Sequence, residues 1–337
     1  MGKILHIMVL DKFIPPFIEF VKSNFDVTQH LFFILGKPQY KYGLTKEHPV
    51  RWIDDEQKLI FLFRKMQKAR KIILHGLWSE EVNRFLCFRA EFLEKCYWVM
   101  WGGDFYFPER HSDIKKNLIR QIRHFVTYLE GDYEYVRQHY RASGEFHECL
   151  VYPTNVFRKV EGNEILSLEN ETINILVGNS ATVENNHIWI FRKLKELKIE
   201  KPFRVYVPLS YGDLRYAKHV MLEGKELLGD SFCPITDFMP YDKYIKFLST
   251  IDIALFAHDR QQAMGNTIAL LGMGKKVFMK RGTSQWKLFD KLGIKVFDIE
   301  NLTNNDVKKE YLKLNVDKVV SYFSEENLKK QLTDLFS

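Results

Sequence analysis

Apolar and polar positions alternate between two periods along this chain. Short apolar runs fit buried parallel strands, and the segments between them carry apolar residues at helical spacing. Lys3 to Val9 reads as a first strand, Asp11 to Pro16 as its loop and Phe17 to Asn24 as a helix. Gln29 to Leu35 is a second strand closed by Gly36, and Asp54 to Lys71 a helix with Leu59, Ile60, Phe63 and Met66 on one side. Ile72 to Leu74, followed by His75-Gly76, is a third strand, Glu80 to Phe92 a helix, and Tyr97 to Trp101, followed by Gly102-Gly103-Asp104, a fourth strand. His111 to Leu129 reads as a helix striped by Ile114, Leu118, Ile122, Phe125 and Val126, although Phe125 to Thr127 also fits a short strand. Gly131 to Tyr140 is a short helix, and Leu150 to Pro153 a strand leaving this half.

The aperiodic polar stretch 157–170 fits a linker, after which the plan repeats. Ile173 to Val177, Phe203 to Val207, Ile251 to Phe256, Lys276 to Met279 and Lys295 to Asp298 are strands, with a short one at Ser231 to Pro234. Helices fall at His187–Leu197, Tyr216–Leu228, Pro240–Ser249, after Gly265-Asn266-Thr267 and at Gln285–Leu292. Val307 to Phe336 reads as two terminal helices parted near Asn315. Alternation of strand and helix through both halves predicts an α/β protein of two Rossmann-like domains, 1–160 and 171–337.

Chemistry concentrates where strands of the second half end. Gly178-Asn179-Ser180, Pro208 to Gly212 with Tyr211, and Arg260 to Thr267 are three polar loops at the edge where open α/β sheets bind ligands. Gly178 is expected to let a phosphate approach the backbone, and Ser180 and Thr267 to donate from hydroxyls. Arg260 and the helix start at Gly265, Asn266 and Thr267 suit a diphosphate. No Walker A sequence, no G-x-G-x-x-G after the first strand, no H-E-x-x-H and no clustered Cys/His metal site occurs, which argues against hydride transfer and for chemistry without a metal or cofactor.

Composition changes this picture little. The chain has 337 residues, 46% hydrophobic and 28% charged, and aromatics are frequent at 15%. A net charge of +7 suggests an anionic partner: nucleic acid, an anionic membrane surface or a nucleotide phosphate. Four scattered cysteines suggest buried free thiols in a reducing compartment, and without an apolar run of spanning length the expected location is cytoplasmic. Without a nucleic-acid motif, a basic polyanion-binding scaffold is the weaker alternative.

The order helix, x-x-D-I-A-L-F, loop, G-x-T, helix, G-K-K-V-F resembles the nucleotide-sugar half of GT-B glycosyltransferases. ILVGNS with NNHI shortly after it, VPLSYG and FAHDRQQAMGNT, preceded by HGLW, WVMWGGDFY and VYPT, resemble one family more narrowly: the TDP-N-acetylfucosamine:lipid II N-acetylfucosaminyltransferases, glycosyltransferase family 56. The resemblance runs over roughly residues 70 to 300.

It implies a GT-B enzyme with parallel sheets facing across a cleft, an acceptor-binding first domain and a donor-binding second. The reaction implied is transfer of 4-acetamido-4,6-dideoxygalactose from its TDP donor to a polyprenyl-diphosphate-linked glycan at the inner membrane, in enterobacterial common antigen assembly. A UDP- or GDP-sugar transferase for capsule or O-antigen is the alternative. The donor would be held by Gly178, Asn179, Ser180, Tyr211, Arg260, Gln261, Gln262, Gly265, Asn266 and Thr267. The paired glutamates of many retaining GT-B enzymes are absent at Gln262 and Leu270, so an inverting base is expected in the first half. Asp104 is the first candidate, with His75 and Asp11 behind it, while His6 and His30 read as structural. Lys115, Lys116, Arg120 and Arg123, with Arg64 to Lys71, would rest on anionic lipid.

Overall fold

The computed structural model describes residues 2–159, 171–197, 199–302 and 309–337. It divides into two compact units, one of residues 1–156 with 325–337, the other of residues 157–324. The linker expected at 157–170 falls largely outside the described residues, as does the start of the expected helix at Val307.

In the first unit, strands β1 (Ile4–Val9), β2 (His30–Leu35), β3 (Val50–Ile53), β4 (Lys71–His75), β5 (Cys96–Val99), β6 (His124–Val126) and β7 (Glu145–His147) form one sheet in the order β3-β2-β1-β4-β5-β6-β7. Every pairing in it is parallel. The strands are apolar on both faces because helices cover both, and Leu5, Ile7, Phe33, Ile72, Leu74, Trp98 and Phe125 lie in its core. Between β1 and β4 the strand order reverses direction, the position where such sheets open a crevice for ligands.

The second unit repeats the plan with β8 (Ile173–Val177), β9 (Phe203–Pro208), β10 (Phe232–Ile235), β11 (Ile253–Phe256), β12 (Lys276–Met279) and β13 (Phe297–Asp298), ordered β10-β9-β8-β11-β12-β13 and again parallel. Its reversal lies between β8 and β11.

Several boundaries differ from the sequence reading, each for a local reason. The first helix starts at Ile14, because Pro15 and Pro16 occupy its first turn, where no intrahelical N–H is needed. The helix expected over His111–Leu129 runs only from Asp113 to Gln121, and the short-strand option was the right one there: residues 124–126 become β6. The edge strands β3 and β7 have no counterpart in the sequence reading, and Leu150–Pro153 is not a strand.

The terminal helices run Lys309–Tyr322 and Glu325–Phe336, so Asn315 lies inside the first and the break is at Phe323-Ser324. The last helix belongs to the first unit, not the second as expected. Leu328, Leu332, Leu335 and Phe336 are buried, and Arg70 and Lys71 donate to the carbonyls of Leu335, Phe336 and Ser337 at its C-terminus. These two cations therefore complement the helix dipole, whereas the sequence reading had them face a lipid surface.

Candidate active site

In the second unit, polar side chains from the loops after β8, β9 and β11 meet beyond the C-terminal ends of those strands, joined by Gln285 of the helix Ser284–Lys291. Asn185, fully buried, is their keystone. Its Oδ1 accepts from the Asn179 backbone N–H at 2.9 Å and from His258 Nε2 at 2.8 Å. Its Nδ2 faces the Ser180 carbonyl at 3.0 Å and Thr182 Oγ1 at 2.8 Å. Asn179 Nδ2 donates to the Tyr211 hydroxyl at 2.8 Å, while its Oδ1 accepts from Gln262 Nε2 at 3.0 Å. Gln262 Nε2 also lies 3.1 Å from Thr182 Oγ1, and the Gln262 backbone N–H donates to Gln285 Oε1 at 3.3 Å. The loops after β8, β9 and β11 are thus tied by side chains, and Asn179, Ser180, Tyr211 and Gln262 share one network.

Four buried polar atoms in or beside this network have no hydrogen-bond partner: His187 Nε2, His258 Nδ1, Arg260 Nε and Gln262 Oε1. Leaving such a group unpaired costs about 1–3 kcal/mol, so their concentration marks a place built to receive a polar ligand. His258 donates through Nε2 to an amide oxygen, so its Nδ1 is a bare acceptor. Burial pulls the His187 and His258 imidazoles down to about 3, which keeps both neutral at physiological pH.

The positive element is Arg260, whose Nη1 donates to the Gln261 carbonyl at 3.1 Å. The helix Met264–Gly272 begins just beyond it, at the C-terminal end of β11. Gly265 is exposed there with open space beside its Cα, so a bound anion could approach the helix N-terminus. Asn266 reaches Tyr244, its Nδ2 donating to the hydroxyl at 2.8 Å.

Two expectations about this region need correction. Thr267 is fully buried and its hydroxyl bonds back to the Ala263 carbonyl at 3.0 Å, so it is spent on its own helical turn. Gly178 (φ +67°) is required by its left-handed backbone and by its neighbours, since a Cβ there would lie 2.6 Å from His187 Nε2 and 2.7 Å from Asn185 Oδ1. A protein side chain, not a phosphate, approaches it. Asn185, His187, Tyr244 and His258 were missed as site residues. Asn185 and His187 lay inside the NNHI signature, and a polar pair placed eight and ten residues after an apolar strand was the available signal.

In the first unit, Asp104 does not present a carboxylate outward. It has no exposed surface. Its Oδ2 accepts from Trp98 Nε1 at 3.1 Å and from the Trp101 N–H at 3.3 Å, and Oδ1 lies 3.7 Å from Lys115 Nζ. Burial raises its pKa to about 6 against the opposing pull of Lys115 and these donors. An acceptor hydroxyl has no route to this group, so the reading of Asp104 as base is withdrawn. The glycines beside it serve Trp78: a Cβ on Gly76 would lie 2.1 Å from the indole Nε1, and one on Gly103 2.8 Å from its ring.

His75 is equally buried. It belongs to a row in which Trp101 Nε1 donates to the Tyr152 hydroxyl at 2.9 Å, and Tyr152 meets His75 Nδ1 at 2.8 Å. His75 Nε2 meets His6 Nδ1 at 3.1 Å, and His6 Nε2 meets His30 Nδ1 at 2.9 Å. His6 and His30 are thus core residues, as the sequence suggested, but linked to His75. Around the outer end of this row Phe13, Trp78, Trp101 and Tyr152 form an aromatic cluster, with Phe13 and Trp101 ring centres 4.9 Å apart and Trp78 and Trp101 5.7 Å. Trp78 is 44% exposed, and a shallow pocket lined by Met8, Val9, His75, Gly76 and Trp78 opens at the β1/β4 reversal. Asp11 follows β1 at this edge and is partly exposed.

The four cations expected at a membrane are engaged within the protein. Lys115 is buried against Asp104 and the Trp78 ring, which removes it from any surface role. Lys116 pairs with Asp113 at 3.5 Å, Arg120 donates to the Tyr140 carbonyl at 3.4 Å, and Arg123 to Glu94 at 3.2 Å, though these three keep exposed surface. Among the described residues, no helix is long and apolar enough to cross a membrane.

The sequence profile described as 4-alpha-L-fucosyltransferase, glycosyl transferase group 56, matches residues 32–336. The fold is that of solved GT-B structures. A glycosyltransferase from Rickettsia africae superposes with a TM-score of 0.69 at 12% identity, over 100% of this chain and 98% of that one. Anabaena HepE, solved with UDP and glucose, gives 0.69 at 13% identity over 99% of both chains. The lipopolysaccharide outer core galactosyltransferase WaaB gives 0.65 at 11% identity over 98% of both.

Proposed function

Because the chain belongs to glycosyl transferase group 56, the 4-alpha-L-fucosyltransferase family, and is a glycosyltransferase of GT-B fold, we propose that it transfers a deoxyamino sugar of the 4-acetamido-4,6-dideoxygalactose type from a TDP donor to a polyprenyl-diphosphate-linked glycan. The setting proposed is bacterial surface polysaccharide assembly, with the protein peripheral on the cytoplasmic face of the inner membrane and Lys116, Arg120 and Arg123 toward lipid. The second unit is the donor-binding domain in this reading. The observation that carries it is the group of buried, partnerless polar atoms on His187, His258, Arg260 and Gln262 at the β8/β11 reversal.

In this reading the Arg260 guanidinium and the N-terminus of the helix Met264–Gly272 neutralise charge as the nucleoside diphosphate leaves. Gln261, Gln262 and Asn266 orient the nucleotide and sugar, and the buried, neutral His187 and His258 hold the loops beneath them. Tyr211, 53% exposed and anchored through its hydroxyl to Asn179, offers a ring face. In the first unit the aromatic cluster around Trp78 and Trp101 is the acceptor platform, because flat indole faces suit sugar C–H surfaces and isoprenoid alike. Asp11, accessible where Asp104 and His75 are not, takes the base role by which the acceptor hydroxyl loses its proton.

A thermal-shift panel of TDP, UDP, GDP and ADP tests the donor class, since a ligand at 100 times its dissociation constant stabilises by about 2.7 kcal/mol. TDP is expected to lead. A larger shift with UDP or GDP would replace the proposed sugar with the capsule or O-antigen alternative, and no shift with any of them would remove the nucleotide site. Arg260→Ala should cost about 1.5–3 kcal/mol of diphosphate affinity. Asp11→Asn should leave donor affinity unchanged and lower turnover by about 10²-fold or more.

A further inference from the structure

At the far edge of the first sheet, β6 and β7 bring two histidines and a glutamate together. The parallel register sets His124 beside Glu145 and Val126 beside His147. Paired residues of neighbouring strands share a face, and so do residues two apart, so His124, Glu145 and His147 project to one side. Their nitrogen and oxygen atoms converge. His124 Nδ1 and His147 Nε2 are 3.0 Å apart, and Glu145 Oε2 lies 3.7 Å from the first and 3.9 Å from the second. One ligand atom from each residue falls within a span of 4.8 Å.

From these residues we infer a divalent metal site of zinc type, with two imidazole nitrogens and one carboxylate oxygen as ligands. Its second feature is the fixed tautomer of His124. Nε2 of that ring lies 3.1 Å from the Glu94 carbonyl, which can only accept, so Nε2 carries the hydrogen and Nδ1 turns its lone pair toward His147 and Glu145. A ligating histidine whose other nitrogen donates to a backbone carbonyl is the usual outer shell of such a site. The ring is held further by stacking on Tyr97, with centroids 4.1 Å apart and planes at 6°.

Without metal, the 3.0 Å contact is an N–H···N hydrogen bond from His147 to His124. With metal, His147 turns its own lone pair inward by shifting its hydrogen to Nδ1.

Two imidazoles and a carboxylate suit a borderline ion such as zinc and discriminate against calcium and magnesium, which prefer all-oxygen shells. Lys71 opposes binding by its charge, but its ammonium is directed to the Leu335 carbonyl and the Tyr97 ring. The Glu145 side chain is 76% exposed, so the remaining coordination position opens to water. His124 opens β6 and Glu145 opens β7, His147 closes β7, and the group lies on the β6–β7 edge, separated by β5 from the β1/β4 reversal that carries Asp11 and Trp78. The ion would therefore fasten a three-residue edge strand rather than take part in transfer.

The test uses the full chain, stripped with chelator and titrated with Zn²⁺ against a chromophoric competitor, then with Co²⁺, whose visible absorption reports nitrogen and oxygen ligation. One ion per chain and a raised melting temperature are expected. His147→Asn and Glu145→Gln should each weaken binding at least tenfold, while the exposed His219→Asn leaves it unchanged. Glu145→Gln alters a solvent-facing side chain, so its result stands even if a histidine variant misfolds. Binding that survives both ligand substitutions, or a parent protein that takes up no zinc at submillimolar concentration, overturns the inference.

Discussion

Replacing Asn185 by alanine removes the carboxamide that joins the β8 loop to the β11 loop. The oxygen accepts two hydrogen bonds, from the Asn179 N–H and His258 Nε2. The amide nitrogen faces four acceptors but has two hydrogens, best placed for the Ser180 carbonyl and Thr182 Oγ1. Four bonds of about 1 kcal/mol each are lost, for about 4 kcal/mol in total. At about 2–4 °C per kcal/mol for a unit of this size, the unfolding transition should fall by roughly 8–16 °C.

The same change frees His258 and the Asn179 backbone, so nucleotide diphosphate affinity should fall as well, although Asn185 itself is fully buried. Urea unfolding followed by far-UV circular dichroism gives the first quantity, and calorimetry well below the melting temperature gives the second. Asn185→Asp separates the two halves of the amide: it keeps the acceptor for Asn179 and His258 but points a second oxygen at two carbonyls. It should destabilise at neutral pH and recover partly in acid, where the new carboxyl can donate. A loss under 1 kcal/mol for Asn185→Ala, with nucleotide affinity unchanged, would refute the keystone role.

Asp104 holds its proton more tightly folded (about 6) than unfolded (3.8), so its contribution is greatest below pH 4 and is lost as the pH rises through 6. The stability of the parent minus that of Asp104→Asn should therefore fall by up to about 3 kcal/mol between pH 4 and 7, read from urea midpoints in matched buffers; a flat or rising difference would mean that Asp104 is ionised at little cost. Thr267→Val should leave nucleotide affinity within about twofold, since the hydroxyl already bonds to its own turn. A tenfold loss by calorimetry would return Thr267 to the ligand.

Strand positions were legible wherever the strands are central. Ile4–Val9, Ile173–Val177 and Ile253–Phe256 are largely buried on both faces and read as apolar runs interrupted only by His6 and Asn174. Edge strands lack that signature: Glu145-Phe146-His147 is three residues with two polar ends, and Val50–Ile53 includes an exposed arginine. Side-chain roles were legible in part. Asn179, Tyr211 and Gln262 do meet, because polar residues just after parallel strands share one sheet edge. The direction in which a residue points was not legible, since it depends on which partner the folded backbone brings within reach. Asp104 turns inward to Trp98 and Lys115, eleven residues away in sequence in the latter case, and Thr267 turns back along its own helix.

The two units use one strand order for opposite chemistry at equivalent positions. At the β8/β11 reversal the loops contribute amides, imidazoles and a guanidinium, and several of their polar atoms lack partners. At the β1/β4 reversal the loops contribute Phe13, Gly76, Trp78 and Trp101, while the polar residues beneath, His75, Asp104 and Tyr152, bond to one another or to the surrounding indoles. A partnerless polar edge favours a small, charged, directional ligand whose oxygens complete the network. An aromatic edge over a polar layer bonded mostly within the protein, with Asp104 Oδ1 alone lacking a hydrogen bond and facing the Lys115 ammonium at 3.7 Å, favours a large surface recognised by shape and stacking. The Gly76 and Gly103 contacts bear on this, because any side chain at either position would displace the Trp78 ring that forms that surface. The proposed division into a polar donor site and an aromatic acceptor site rests on which residues each reversal exposes, and within that proposal Asp11, the accessible carboxylate beside the aromatic edge, serves the acceptor hydroxyl.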